Sequence, residues 1–424
     1  MFKYAEIYVD QLRDGALIGN FISAYSYVQF SAHGGLHMVK HKWISRRANL
    51  VPWSGVRRMF NLALKYEDVI NLSVGEPDFD TPKYIIEAAI NAMKEGYTHY
   101  TPNAGLKEFR EAVAQKVKRE NKIDADPENE VMATVGAMGG LSLAILTVVD
   151  SGDEVLIPDP GFPSYRAQVV LAGGIPVPYK LLEENDFLID ADEIKKLITE
   201  KTKAIIINTP SNPTGTVLNE KSLKAISEIA IENDLVVISD EAYEAIIYDG
   251  LRHVSIASLS DMKERTISIF TLSKTYAMTG WRIGFAVANE DIISQMTKLQ
   301  EHISAHPSSI SQRAAVAALR GGDDCVKKMI AEYTERRELL LKGLSEIPGF
   351  RCTKPQGAFY VFPNIKSFGM SSETFSMQVL EKAKVVVVPG TAFGEHGEGY
   401  VRISYATSRE KLANALSRIK SMLS

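Results

Sequence analysis

The sequence predicts an α/β fold: a large unit with a mostly parallel central sheet, followed by a smaller α+β unit. Three observations predict it. Short apolar runs alternate with longer helical patterns from about residue 81 onward, and the runs end in polar or Pro/Gly-containing segments. The 424 residues also exceed what one small core accommodates, so two units are expected.

The runs EVLIPDP (154–160), KAIIINTP (203–210), LVVISDEAY (235–243), TISIFTLS (266–273) and RIGFAVA (282–288) are compact, apolar and bounded by turn signals, which reads as strands. Residues 290–345 read as long helices. The second unit begins near Gly349 and contains RCTKPQGAFYVF, VVVVPG and YVRISYA, with SREKLANALSRIKSML as a closing helix. In open α/β sheets ligands bind beyond the carboxyl ends of strands, so Asp159, Asn212, Asp240 and Lys274 are expected around a shared site. The expected division is residues 1–37 as an extension outside the core, 38–80 as a segment joining the small domain, 81–320 as the large domain and 321–424 as the small C-terminal domain. An ordered arm packed on a partner subunit is the alternative for the first 37 residues.

Composition narrows the function. Apolar residues at 45% and charged residues at 24% describe an ordinary globular chain. A net charge of -4 and a pI near 6.1 remove the basic field that nucleic-acid binding needs. Cys325 and Cys352 are too few for a disulfide framework, no Cys-x-x-Cys pair is available for zinc, and both thiols read as reduced. The charge-free stretch Gly15 to Val39 is broken by Asn20, Ser23, Ser26, Gln29 and Ser31, so no membrane span is expected. Glu6, Asp10 and Asp14 spoil the basic start of a signal peptide, which makes the cytoplasm the expected location.

The strongest chemical signal is TLSKTYAMTGWRIG (271–284), where a lysine follows a strand through small hydroxylated residues. A lysine amine is ordinarily solvated, with a pKa of ~10.4. Partial burial beside cationic or apolar groups depresses it and makes it nucleophilic, the state needed for condensation with a carbonyl. A lone Ser-Lys pair would more often be a solvated turn, but it does not stand alone.

NLSVGEPDFDTP (71–82), YTPNAG (100–105), PDPGFPSY (158–165), NTPSNPTG (208–215), SDEAY (239–243), the lysine segment, GAFY (357–360) and VRISYA (401–406) occur in one order along the chain. In this ordered set the sequence resembles the class I and II aminotransferases of pyridoxal-phosphate (PLP) fold type I, from about Asn71 through Ala406. The resemblance implies that fold, that cofactor and a homodimer whose substrates are small molecules, amino acids and 2-oxo acids.

Residue by residue, the resemblance makes Lys274 the carrier of the cofactor aldehyde as a Schiff base and Asp240 the partner of the ring nitrogen. It makes Tyr243 and Asn212 donors to the phenolic oxygen, and Phe162 the ring stacked on the cofactor. Arg282, Ser273 and the backbone of Gly136, Ala137 and Met138 would hold the phosphate. Thr271 departs from the family's usual serine or glycine, with a hydroxyl still able to reach phosphate. Tyr100 would reach the phosphate in a partner subunit, Arg402 would clamp the substrate carboxylate, and Gly75 would bring backbone close to that carboxylate. From the residues alone, Asp240 also suits a helix cap, Arg282 a structural salt bridge, Arg402 an edge-strand surface arginine and Phe162 the core.

The implied reaction is ping-pong transfer of an amino group from an aspartate, aromatic or alanine type L-amino acid to a 2-oxo acid such as 2-oxoglutarate, with Lys274, Asp240 and Tyr243 as the catalytic residues. A β-lyase on the same residues is the alternative outcome. A PLP-sensing regulator is the remote one, and the first 37 residues are too short and too poor in basic residues for its DNA-binding domain.

Overall fold

The computed structural model describes residues 43–423, so the expected N-terminal extension lies outside the described residues. A seven-stranded sheet dominates, built from β2 (Val131–Thr134), β3 (Glu154–Asp159), β4 (Ile175–Lys180), β5 (Thr202–Asn208), β6 (Val236–Asp240), β7 (Thr266–Thr271) and β8 (Gly284–Val287). Its order is β2-β8-β7-β6-β5-β3-β4, and β8 alone runs against its neighbours. Ile205, Ile206, Ile207, Val237, Ile238, Ile267 and Ile269 are fully buried, because helices cover both faces and no polar alternation is needed. The helix Gly136–Val148 is apolar almost throughout for the same reason, and its Leu141, Ala144 and Ile145 join Ile267 and Ile269 in one core.

The topology puts several strand ends side by side. Asn208 at the end of β5 is in register with Asp240 at the end of β6, and Thr271 at the end of β7 is in register with Gly284. Chain leaving these ends must turn at the carboxyl edge of the sheet, and there the polar residues gather.

A second core follows the long helix Asp324–Ser345. It contains the antiparallel strands β11 (Val388–Pro389), β12 (Val401–Ser404) and β9 (Tyr360–Val361) in that order, with Val388 opposite Arg402 and Ser404 opposite Tyr360. The chain before residue 80 packs onto this unit. Strand β1 (Ile70–Asn71) pairs in parallel with β10 (Val385–Val386), and Met59 and Ala63 pack on Leu380 and Val386. Among the described residues no helix is long and apolar enough to cross a membrane.

Candidate active site

Strand β7 ends in Thr271, whose side chain caps the short helix Leu272–Thr275 by accepting the Ser273 N–H. That helix presents Lys274. Its amine donates to the Gly75 carbonyl at 2.5 Å and lies 6.0 Å from the Tyr243 ring centre and 5.8 Å from that of Phe359. Lys274 is half-buried as a residue, and loss of water around the amine is the main influence, pushing its pKa down to about 8. Glu76 and Asp240 oppose that shift, while Arg402 and Arg282 add to it.

On the next strand Asp240 is buried. Its Oδ2 accepts the Tyr165 hydroxyl at 2.6 Å and its Oδ1 accepts the Ala242 N–H at 3.1 Å. Burial pushes the carboxyl up to about 6, outweighing those two bonds and the pull of Lys274. Among the described residues it forms no ion pair, so this carboxylate lacks a cation opposite it. Three residues on, the buried Tyr243 hydroxyl meets that of Tyr360 at 2.8 Å.

Arg402 comes from β12 and is buried. Nη1 donates to Asn212 Oδ1 at 2.9 Å and Nη2 to the Ser73 carbonyl at 2.6 Å, while Nε is buried with no partner. The rings of Tyr360 and Phe393 lie 4.3 Å and 4.8 Å from its guanidinium carbon. A guanidinium carries five N–H donors, and three remain for a planar anion. Asn212 itself is fixed by its backbone N–H, which donates to Asn208 Oδ1 at 2.8 Å.

A second anion-seeking feature lies at the start of the helix Gly136–Val148. No side chain caps this end, so the N–H groups of its first turn, from Gly136, Ala137 and Met138, stay available. Gly136 has φ +63°, and a Cβ there would sit 2.5 Å from Arg282 Nη2. Glycine thus lets the guanidinium approach the helix end. Arg282 is exposed and forms no ion pair with a carboxylate among the described residues, so it is not the structural salt bridge that the residues alone allowed. Phe162 is half-buried, edge-on to Tyr165 at 5.6 Å. Tyr100 is 90% exposed and touches His306 edge-on at 5.6 Å.

A buried polar cluster backs this edge of the sheet. Glu241, Glu244 and His253 bring ligand atoms within 4.8 Å of one another. The protein satisfies both carboxylates itself: Glu241 accepts from Ser239 and Ser255 and meets His253, while Glu244 pairs with Lys116 and accepts from Asn121. The cluster anchors the segment that carries Asp240 and Tyr243.

The family described as aminotransferase class I and II matches residues 67–419. The chain belongs to the class I and II aminotransferases. It is 51% identical over 382 residues to an aspartate aminotransferase of Pyrococcus abyssi, covering 90% of this chain and 98% of that protein. It is 49% identical over 382 residues to aromatic-amino-acid aminotransferase 2 of Thermococcus litoralis, with 90% and 98% covered. The solved structure of the Thermus thermophilus aspartate aminotransferase with maleate superposes with a TM-score of 0.87 at 37% identity, covering 90% of this chain and all of that one. That solved neighbour has the fold type I architecture, so the fold expected from the motifs is the one this aminotransferase has.

Two expectations for the aminotransferase change. Asp159 ends β3 but turns away from the site: its carboxylate accepts the backbone N–H groups of Glu395 and His396 at 3.1 and 3.0 Å and meets the His396 ring at 3.1 Å. Gly394 makes room for this, since a Cβ there would strike the carboxylate. The Thr271 hydroxyl is already engaged, its one proton facing Ser273 Oγ at 2.9 Å and the Ile283 carbonyl at 3.3 Å, so an anion there would meet Ser273 with its own hydroxyl proton unspent.

Other residues join the site without having been singled out. Tyr165 and Tyr360 lie inside the motifs PDPGFPSY and GAFY, yet only distance reveals their partners. Residues 73–81 form a strap whose contacts reach both units. Glu76 bonds Thr279, Asp78 pairs with Arg336 at 2.7 Å, and Thr81 donates to the Ala277 carbonyl at 2.6 Å. Beside the strap an open cavity of about 490 Å³ is lined by Glu76, Phe79, Asp80, Ala277 and Trp281 among others, but by none of Lys274, Asp240 or Arg402.

Proposed function

We propose that this aminotransferase moves the amino group of an L-amino acid of aspartate, aromatic or alanine type to a 2-oxo acid such as 2-oxoglutarate by a ping-pong route. In this reading it works as a cytoplasmic homodimer with PLP as resident cofactor, residues 81–320 forming the large domain and 321–424 the small one. The names of the relatives, aspartate and aromatic-amino-acid aminotransferase, support the aspartate and aromatic part of that range. The observation that carries the reading is the placing of the Lys274 amine past the end of β7, against the Gly75 carbonyl and the Tyr243 and Phe359 rings, where loss of water lowers its pKa.

The residues present fit the cofactor. Asp240 is a buried carboxylate without a cation, which suits a protonated ring nitrogen. The uncapped turn at Gly136, Ala137 and Met138, with Arg282 beside it and the Ser273 hydroxyl just past the end of the adjoining strand, suits a phosphate. Lys274 would hold the aldehyde, Tyr243 and Asn212 the phenolic oxygen, and Phe162 one ring face. Tyr100, exposed on its own chain, would reach the phosphate in a partner subunit. When bound, the cofactor supplies a protonated aromatic ring that draws negative charge away from the substrate Cα.

The chain's own residues do the rest. Arg402 binds the α-carboxylate with its three unspent N–H donors, in a buried pocket where charge-assisted bonds are strong. Gly75, next to Tyr360, leaves space for backbone to approach that carboxylate. Lys274 takes the proton from the substrate Cα and delivers it onward, a task suited to a pKa close to the working pH. Asp240 holds the positive charge at the ring nitrogen, and Tyr165 holds Asp240.

The test separates the half-reactions. Purified enzyme loaded with PLP and mixed with one amino donor at a time should take up one amino group per site, and should give parallel double-reciprocal lines with 2-oxoglutarate. Ammonia and pyruvate released without an acceptor, or no uptake of the amino group by any donor, would overturn the reading.

Two predictions arise here. Tyr165→Phe removes the 2.6 Å bond to Asp240 and is expected to weaken PLP binding to stripped enzyme by roughly ten- to a hundred-fold, the worth of a hydrogen bond to a charged group. Equilibrium titration followed by absorbance measures it. The second concerns pH. Asp240 stands at about 6 in the folded chain against ~3.9 unfolded, so its contribution to stability is fully present below about pH 4 and is lost as pH rises through 6. A cation opposite the carboxylate relieves that loss. The gap in melting temperature between loaded and stripped protein should therefore be widest above pH 6 and narrow toward about pH 5.

A further inference from the structure

We propose that Tyr360 is a positioning residue that decides which way the Tyr243 hydroxyl donates. The inference rests on the reading of Tyr243 as donor to the cofactor's phenolic oxygen. The two phenol oxygens are 2.8 Å apart, both residues are buried, and either could supply the proton. Each phenol has one proton. If Tyr243 donates to Tyr360, it has none left for the cleft. If Tyr360 donates, the Tyr243 oxygen is satisfied from behind and its own proton is free for another acceptor.

Three contacts hold Tyr360 in the donating role. The Arg402 guanidinium lies 4.3 Å from its ring centre, and a cation against the ring polarises the O–H and makes it the stronger donor. The ring is wedged against Phe359 at 4.8 Å and edge-on to Tyr243 at 5.8 Å, so the hydroxyl cannot swing away cheaply. Its oxygen occupies the space where a Cβ at residue 75 would lie, which the glycine there leaves open. Among the described residues the Tyr360 hydroxyl has no other hydrogen-bond partner. Tyr360 thereby touches the residue that binds the substrate carboxylate and the one that faces the cofactor's oxygen.

The experiment compares Tyr360→Phe, Tyr243→Phe and the double variant, each loaded with PLP, by the pH at which the bound cofactor's visible band changes. A donor to the phenolic oxygen stabilises it as an anion, so losing the donor moves the titration to higher pH. Tyr243→Phe should move it up by about one pH unit. Tyr360→Phe should move it less but in the same direction, and the double variant should match Tyr243→Phe alone, because a residue acting only through Tyr243 adds nothing once that hydroxyl is gone. Since phenylalanine keeps the ring under Arg402, KM for the amino donor should change less than about threefold, which separates positioning from damage to the carboxylate site. A Tyr360→Phe titration identical to the parent's, or shifts that add in the double variant, would overturn the proposal. If Tyr243→Phe leaves the titration unmoved, the reading of Tyr243 fails and the inference falls with it.

Discussion

Replacing Lys274 by alanine is expected to lower kcat for amine transfer by about ten-thousand-fold or more, with the melting temperature retained. The magnitude follows from general base catalysis, worth up to about 10⁴, with the loss of the covalent tether added to it. Single-turnover mixing with the best amino donor measures it, and a small free amine in the buffer should restore part of the rate. Lys274→Arg should not, because a guanidinium stays protonated. The stability of the stripped protein gives an independent check. The Lys274 pKa falls from 10.5 unfolded to about 8 folded, so the stability linked to it is present above 10.5 and lost as pH falls through 8. Below pH 8 the stripped alanine variant should thus be no less stable than the parent.

The second large effect belongs to Arg402. Removing a buried, hydrogen-bonded charge from a carboxylate costs about 2–5 kcal/mol, so Arg402→Ala should reduce kcat/KM for amino acids by roughly a thousand-fold. Arg402→Lys should recover only a fraction, since an ammonium reaches one oxygen as a point charge and leaves Asn212 or Ser73 without its partner. The contrast that isolates the carboxylate is a substrate amine lacking it. On that amine the parent and Arg402→Ala should react at similar rates; a thousand-fold difference persisting there would mean that Arg402 acts through folding of the pocket.

Much of this was legible in the sequence where a single principle dominated. The runs read as strands at 154–160, 203–210, 235–243, 266–273 and 282–288 correspond to β3, β5, β6, β7 and β8, because a sheet covered on both faces draws mostly apolar residues. Strand β4 is not legible in the sequence. Its Pro176 and Pro178 argue against a strand, and the sheet tolerates them because β4 is an edge. The strands around GAFY are two to four residues long, too short for any periodicity to register.

Within the site, the motifs brought Lys274, Asp240, Tyr243, Asn212 and Arg402 to attention, and the structure gathers them at the carboxyl edge of the sheet and under β12. Partner choice was not legible. Nothing in the string PDPGFPSY tells that Asp159 closes on the Glu395–His396 turn while Tyr165 serves Asp240, since each pairing crosses a long stretch of chain. Thr271 is a local case: two residues from Ser273, its hydroxyl can face either the cleft or that neighbour, and the string alone does not choose.

The central claim is a covalent bond between one amine and the cofactor aldehyde. Borohydride reduction of the PLP-loaded protein, followed by digestion and mass analysis of the peptides, tests it most directly. The account predicts one pyridoxyl group per chain, on the peptide TLSKTYAM at Lys274. A label on another lysine, or a reduced protein from which all cofactor washes away, would contradict it.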